Sequence, residues 1–179
     1  VYQTDKISSG YMEHYDQAFQ LLANYPVRLL ELGVREGESL KLWKAYFPNG
    51  LITGIDVSDP SLINVSGVQF FQGSMTDIDF LSGVAQQQAP KGFDVIIDDA
   101  SHISMDSRTA FWHLFNNHLK SGGIYAIEDW GVSYFDDFPD GREYNAPTHD
   151  VELKQEWQSH QFGLAGFVKR LIDEQAAAS

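Results

Sequence analysis

Two stretches carry residue types that could do chemistry: Ile96-Ile97-Asp98-Asp99-Ala100-Ser101-His102 and Ala126-Ile127-Glu128-Asp129-Trp130. Each is an apolar, β-like run that stops abruptly at carboxylates, and together they offer four acids and one imidazole. In an open α/β sheet, ligands bind beyond the carboxyl ends of the strands. Three carboxylates and an imidazole meeting there would suit a hard divalent cation, which takes oxygen ligands and keeps positions for water or substrate. Mg²⁺ and Mn²⁺ both accept such donors. His102 would be the base that removes a proton from a reacting group. Asp98 is assigned to the ligand side or to support. The bland alternative makes all these acids helix caps and solvated loop residues, as a single acidic pair usually is. Two pairs at the ends of two neighbouring strands argue for function.

A second constellation precedes them. Glu31-Leu32-Gly33-Val34-Arg35-Glu36-Gly37-Glu38-Ser39 lies between a buried strand and a helix. Glycines there let backbone approach a ligand, and the helix start offers free N–H groups. The spacing is not the G-x-G-x-x-G of dinucleotide binders, and the acids of the turn would oppose a pyrophosphate. They would tolerate a sulfonium or an amino group. Asp56, at the end of the next strand, is placed to accept hydrogen bonds from ribose hydroxyls. Gln72-Gly73-Ser74 follows the third strand, where an adenine edge could be read or a loop simply capped. Glu31, Gly33, Gly37, Ser39, Asp56, Gln72, Gly73, Ser74 and Asp98 are therefore the expected cofactor contacts.

The elements that must position these groups alternate between strand and helix patterns, as parallel βαβ units do. Tyr11 to Asn24 carries a helical apolar stripe at Tyr15, Ala18, Phe19, Leu22 and Ala23, closed by Pro26. Strands are expected at Val27–Leu32, Leu51–Val57, Val68–Gln72, Phe93–Ile97 and Ile124–Ile127. Helices are expected at Ser39–Phe47, Ile78–Gln88, Ser104–Leu119, Glu152–Ser159 and Leu164–Gln175. Phe111, Trp112, Leu114 and Phe115 read as helix core. Residues 131–150 form an aromatic, acidic, turn-rich loop over the site. Trp130, Tyr134, Phe135, Phe138 and Tyr144 either line an apolar acceptor pocket or form a satellite core. His14, His113, His118, His149 and His160 receive no catalytic role.

Composition bounds the rest. The 179 residues suffice for a single domain, 1–179, with residues 1–26 as an N-terminal lead-in. A net charge of −13 argues against nucleic acid and against a membrane surface. No cysteine is present, so thiolate chemistry and disulfides are excluded and a reducing cytoplasm is expected. The missing initial Met and the tail Gln175-Ala176-Ala177-Ala178-Ser179 read as a piece of a larger protein. A small-molecule hydroxyl acceptor is the expected partner, with room for a homo-oligomer.

E-L-G-V-x-x-G-E-S, Asp56, Q-G-S-x-x-D, I-D-D-A-S-H and I-E-D-W together resemble the class I S-adenosylmethionine-dependent methyltransferases. They are most similar to the metal-dependent sugar O-methyltransferases of macrolide biosynthesis, from about Asp5-Lys6 to Phe167. The resemblance implies a Rossmann-like α/β fold, a mostly parallel central sheet with helices on both faces. It implies Asp99, Glu128 and Asp129 as Mg²⁺ ligands, His102 as base, and S-adenosyl-L-methionine as cofactor. Asp5-Lys6…Tyr11…His14-Tyr15 resembles the family's lead-in over the cofactor. Ser74 stands where relatives often carry aspartate, and the family's C-terminal antiparallel strand pair has no counterpart after the last helix. The expected activity is Mg-assisted O-methylation of a sugar or polyketide-type hydroxyl. A catechol-type or cephalosporin-pathway methyltransferase, and a catalytically silent cofactor-binding scaffold, are the alternatives.

Overall fold

The computed structural model describes residues 2–59, 65–144 and 161–177. In chain order the elements are α1 (Asp5–Ser8), α2 (Tyr11–Phe19), β1 (Arg28–Leu32), α3 (Glu38–Tyr46), β2 (Leu51–Asp56), β3 (Val68–Gln72), α4 (Ile78–Gln88), β4 (Phe93–Asp98), α5 (Ser104–Asn117) and β5 (Leu119–Ile127). A short 3-10 helix (Trp130–Tyr134), α6 (Pro139–Tyr144) and α7 (Leu164–Ala177) follow. The five strands pair in the order β3-β2-β1-β4-β5, every pair parallel.

Helices cover both faces, and strand periodicity shows how. Leu29, Ile52, Val95 and Ile97 point to one face, where Tyr15 and Phe19 of α2 pack with Leu40 and Trp43 of α3. Leu30, Leu32, Ile55 and Ile96 point to the other, against Leu81, Val84 and Ala85 of α4 and Ala110 and Leu114 of α5. Strands buried on both faces need unbroken apolar runs, which is why β1 and β4 read as continuous rather than alternating. Full burial of Phe19 and Phe47 contributes on the order of 1.5–3 kcal/mol each. The order reverses between β1 and β4, leaving a crevice beyond their carboxyl ends, where such folds bind ligands.

Most expected elements are found, with differences that have physical causes. The lead-in breaks into α1 and α2, and α2 stops at Phe19 rather than running to Asn24. Tyr15 and Phe19 are buried and Ala18 is exposed, so the buried stripe is narrower than its pattern suggests. β5 starts at Leu119, five residues before the expected Ile124, because a register irregularity opposite Phe93/Val95 absorbs Ser121-Gly122-Gly123. Phe111 and Leu114 are core, but Trp112 and Phe115 are exposed by 38% and 45%. They lie on the solvent side of the stripe, stacked or edge-on to Phe111. Part of the expected 131–150 loop is helical (Trp130–Tyr134 and Pro139–Tyr144). The expected helix Glu152–Ser159, His149, His160 and the Tyr144 side chain lie outside the described residues. No described helix is long and apolar enough to cross a membrane.

Candidate active site

The sheet ladder continues past the strand ends and brings the acids together. Asp99 N donates to Leu32 O at 2.9 Å, and Glu128 N donates to Asp98 O at 2.9 Å. The residue after β4 is thereby tied to the last residue of β1, and the residue after β5 to the last residue of β4. Gly33, at φ +80°, turns under it: a Cβ there would lie 2.3 Å from the Asp99 carbonyl oxygen. Its glycine is needed for this close packing of turn on loop. His102 (φ 55°) and Asp129 (φ 51°) both adopt left-handed backbone, a conformation costing roughly 1–2 kcal/mol and concentrated at functional sites.

Two groups of ligand atoms result, sharing Asp99. Asp99, His102 and Asp129 form the outer one, with their ligand atoms within 4.8 Å of one another. His102 Nε2 stands 3.8 Å from Asp99 Oδ1 and 3.8 Å from Asp129 Oδ2, too far for hydrogen bonds. Glu31, Asp99 and Glu128 form the inner group. Glu128, expected beside Asp99 and Asp129 as a ligand, is thus seated one layer deeper. Its Oε1 accepts from Lys6 Nζ at 2.8 Å and from Tyr15 Oη at 2.5 Å.

The lead-in provides three partners for these acids. Lys6, with no exposed surface, donates to Asp99 Oδ2 at 2.5 Å and lies 3.3 Å from Glu31 Oε1. Tyr11 Oη donates to Asp129 Oδ1. Burial alone would lower the Lys6 pKa, but Glu31, Asp99 and Glu128 together raise it above the ordinary lysine value. Burial pushes Glu128 up to about 7, with Asp99 adding repulsion. Burial also raises Glu31 and Asp99, and Lys6 opposes the rise. One ammonium among three carboxylates leaves the cluster rich in negative charge. Lys6, Tyr11 and Tyr15 were not legible as site residues from their own types. Their signal lay in the lead-in segment, which sequence alone does not place beside β4 and β5. The edge-to-face pair Tyr15–Trp43 (4.9 Å, 80°) and the Tyr15–Phe19 contact seat α2 there.

Beside the outer group opens a cavity of about 440 Å³. Gly33, Ser39, Asp56, Gly73 and Ser74, all expected cofactor contacts, line it, as do Asp99, His102 and Asp129. Glu36, Glu38, Asp5 and Asp106 add negative charge to its walls against Arg35. Asp56 also holds the glycine turn, its Oδ2 accepting from Val34 N at 2.8 Å and Arg35 N at 2.9 Å.

Glu31, Gly37, Gln72 and Asp98 are placed differently from expectation. None lines the cavity. Glu31 is fully buried and accepts from Ser39 Oγ at 2.7 Å and Trp43 Nε1 at 3.1 Å, which ties β1 to α3. Gly37, left-handed at φ +76°, starts α3. Gln72 Nε2 donates to Val57 O at 3.0 Å. Asp98 turns into the core, where Ser107 lies beside it and Ala100 N donates to its Oδ1 at 3.4 Å. Burial pushes Asp98 up to about 6. Trp130, Phe135 and Phe138 are exposed by 41%, 59% and 37% and do not line the cavity, so they are not a satellite core. His113 faces Ser82 and His118, away from the site.

No family model matches the chain. Over 132 residues it is 40% identical to the mycinamicin VI 2''-O-methyltransferase of Micromonospora griseorubida, covering 70% of this chain and 32% of that one. Over 163 residues it is 36% identical to the L-olivosyl-oleandolide 3-O-methyltransferase of Streptomyces antibioticus, covering 85% of this chain and 42% of that one. The solved MycE methyltransferase of the mycinamycin biosynthetic pathway, in complex with Mg and SAH, matches with a TM-score of 0.75 at 35% identity. That match covers 91% of this chain and 42% of the other. The chain is a homologue of the macrolide sugar O-methyltransferases. Its parallel sheet flanked by helices is the Rossmann-like methyltransferase fold of that structure. The chain spans 32–42% of the length of the curated relatives named here.

Proposed function

We propose that this chain carries the methyl-transfer site of an S-adenosylmethionine-dependent, Mg-assisted O-methyltransferase acting on a hydroxyl of a sugar or polyketide-type small molecule. The observation that carries the reading is the outer group Asp99, His102 and Asp129 opening onto an acid-walled cavity at the switch point of the sheet. The chemistry of the donors fits the implied ligands. Carboxylates suit a hard divalent ion and leave the imidazole beside them free as a base, and an acidic wall suits a sulfonium and an ammonium rather than a pyrophosphate. The relatives support the same choice, one of them a solved complex with Mg, SAH and mycinamycin VI.

Gly33, Asp56, Gly73 and Ser74 would hold the nucleoside, Asp56 through its remaining carboxylate capacity. Asp99 and Asp129 would hold the metal, with Glu128 behind them. When bound, these groups supply an electrophilic methyl and a more acidic acceptor hydroxyl. His102 Nε2 would take the hydroxyl proton as the methyl passes to the oxygen, with the carbon–sulfur pair left on sulfur. Asp99 and Asp129, each 3.8 Å from Nε2, would stabilise the imidazole's charge once it is protonated. Exposed Trp130, next to Asp129, and Phe135 and Phe138 in the segment after it would offer apolar surface to the rest of the acceptor. A reaction in the cytoplasm suits the cysteine-free chain.

The test is calorimetry with S-adenosylhomocysteine and Mg²⁺, followed by methyl transfer to a panel of glycosylated polyketides before and after chelation. Binding of both ligands with chelator-sensitive transfer is expected. An intact chain that binds neither ligand at millimolar concentration refutes the reading.

A further inference from the structure

The arrangement of Lys6 has a consequence for how many ions the site takes. The inner and outer groups share one carboxylate, and each brings its ligand atoms within 4.8 Å. Two neighbouring carboxylate groups with a shared acid are what a two-metal centre uses, its ions about 3.5–4 Å apart. Here the inner group already contains a cation. Lys6 Nζ lies 2.5 Å from Asp99 Oδ2, 2.8 Å from Glu128 Oε1 and 3.3 Å from Glu31 Oε1, with no exposed surface. Its aliphatic stem leads back to α1, whose neighbouring residues Gln3, Thr4 and Asp5 line the cavity.

We infer that Lys6 is a positioning residue that serves as the resident inner cation of this site, so that the chain takes a single exogenous divalent ion. The inference rests on the metal reading proposed above. An ammonium suits this place where a metal ion would not: it donates along fixed N–H directions and cannot leave. By engaging Asp99 Oδ2 it leaves Oδ1, the oxygen 3.8 Å from His102, to the outer group. By engaging Glu128 Oε1 together with Tyr15 it fixes that carboxylate behind the outer group. Glu31 links the same ammonium to Ser39 at the start of α3, beside the glycine turn.

The experiment titrates Mn²⁺, the probe, into chelator-stripped full chain as wild type and as Lys6→Ala, followed by calorimetry and by electron paramagnetic resonance. The wild type is expected to take one ion. Lys6→Ala is expected to take a second, and the pair to give the exchange-split spectrum of adjacent manganese ions. A variant that still takes a single ion, with wild-type affinity and spectrum, overturns the assignment. A wild type that takes none while Lys6→Ala takes one refutes the outer metal centre but supports Lys6 as the inner cation. No binding by either refutes both. If Lys6→Ala is unfolded without metal, its thermal melt is followed against Mn²⁺, and recovery supports the inference. The double variant Lys6→Ala/Glu31→Gln, which removes one carboxylate with the ammonium, repeats the count: an added ion supports the inference and wild-type stoichiometry overturns it. Failure of both variants to fold at any Mn²⁺ concentration also overturns it.

Discussion

Gly33→Ala separates two roles of the glycine turn and can be sized from the structure. At φ +80° any side chain is strained, which costs roughly 1–2 kcal/mol for an L-residue in left-handed backbone. The added Cβ would also lie 2.3 Å from Asp99 O and 2.5 Å from Ala100 Cα, whereas ordinary contact begins at 3.4 Å. Both partners are backbone, so the β1 turn and the β4 loop must part by about 1 Å. Overpacking of this kind costs about 1–3 kcal/mol more. Gly122 supplies the control, because at φ +78° it has nothing within 4 Å of its built Cβ. Gly122→Ala should therefore lose only the backbone part, and Gly33→Ala about 1–3 kcal/mol beyond it in urea unfolding. The parting also moves Asp99, the acid shared by both ligand groups, so methyl transfer should fall by about 10²-fold in Gly33→Ala alone. Equal destabilisation of the two variants, with Mn²⁺ binding intact in both, would refute the packing argument.

Three other outcomes follow from single groups. His102→Ala should abolish methyl transfer while leaving S-adenosylhomocysteine affinity, measured by calorimetry, within about two-fold, because proton removal and nucleoside binding use different groups. Asp98 is held at about 6 by burial against an ordinary 3.8. Its folded state keeps a proton the unfolded chain has shed, so stability is higher below pH 4 and falls as pH rises through 6. Once both states are ionised the loss is about 3 kcal/mol, and the stability gap between wild type and Asp98→Asn in urea should shift by about that much between pH 4 and pH 7. Asp140 accepts from Ser104 N at 2.9 Å and Leu164 N at 2.7 Å, joining α6 to the starts of α5 and α7. Asp140→Ala should cost about 2–5 kcal/mol by leaving both buried amides unpaired, and hydrogen exchange at those two amides should rise.

The sheet and the outer group were legible because their signals are local. An apolar run that stops at a carboxylate marks a buried strand and its end, and β4 and β5 end at Asp98 and Ile127, where those runs stop. Asp56, Gly33 and Ser74 follow from the same rule. Pairing across the sheet is where sequence reasoning weakens. Asp98 and Asp99 are adjacent and chemically identical, yet the pleat sends one into the core and the other to the crevice. Glu31 has the look of a cofactor contact, but its direction is decided by the buried Trp43 indole on α3. Lys6 is the sharpest case. Its segment was expected over the cofactor from resemblance alone, and nothing local says that α2 will pack on Trp43 and bring Lys6 to the ends of β1, β4 and β5.

That burial explains why the site is built from two parts of the chain far apart in sequence. Glu31, Asp99, Glu128 and Asp129 crowd four carboxylates around the ends of β1, β4 and β5, and Lys6 brings one positive charge. Burial at this end of the sheet drives protons onto these acids, as the raised values of Glu31, Asp99 and Glu128 record, and Lys6 opposes the rise. The lead-in lowers the electrostatic cost of that burial by holding the carboxylates against a cation. Tyr11 on Asp129 and Tyr15 on Glu128 serve the same end, since a phenol donates to a carboxylate without reducing its charge. A lead-in that merely covered the cofactor would need none of these three side chains.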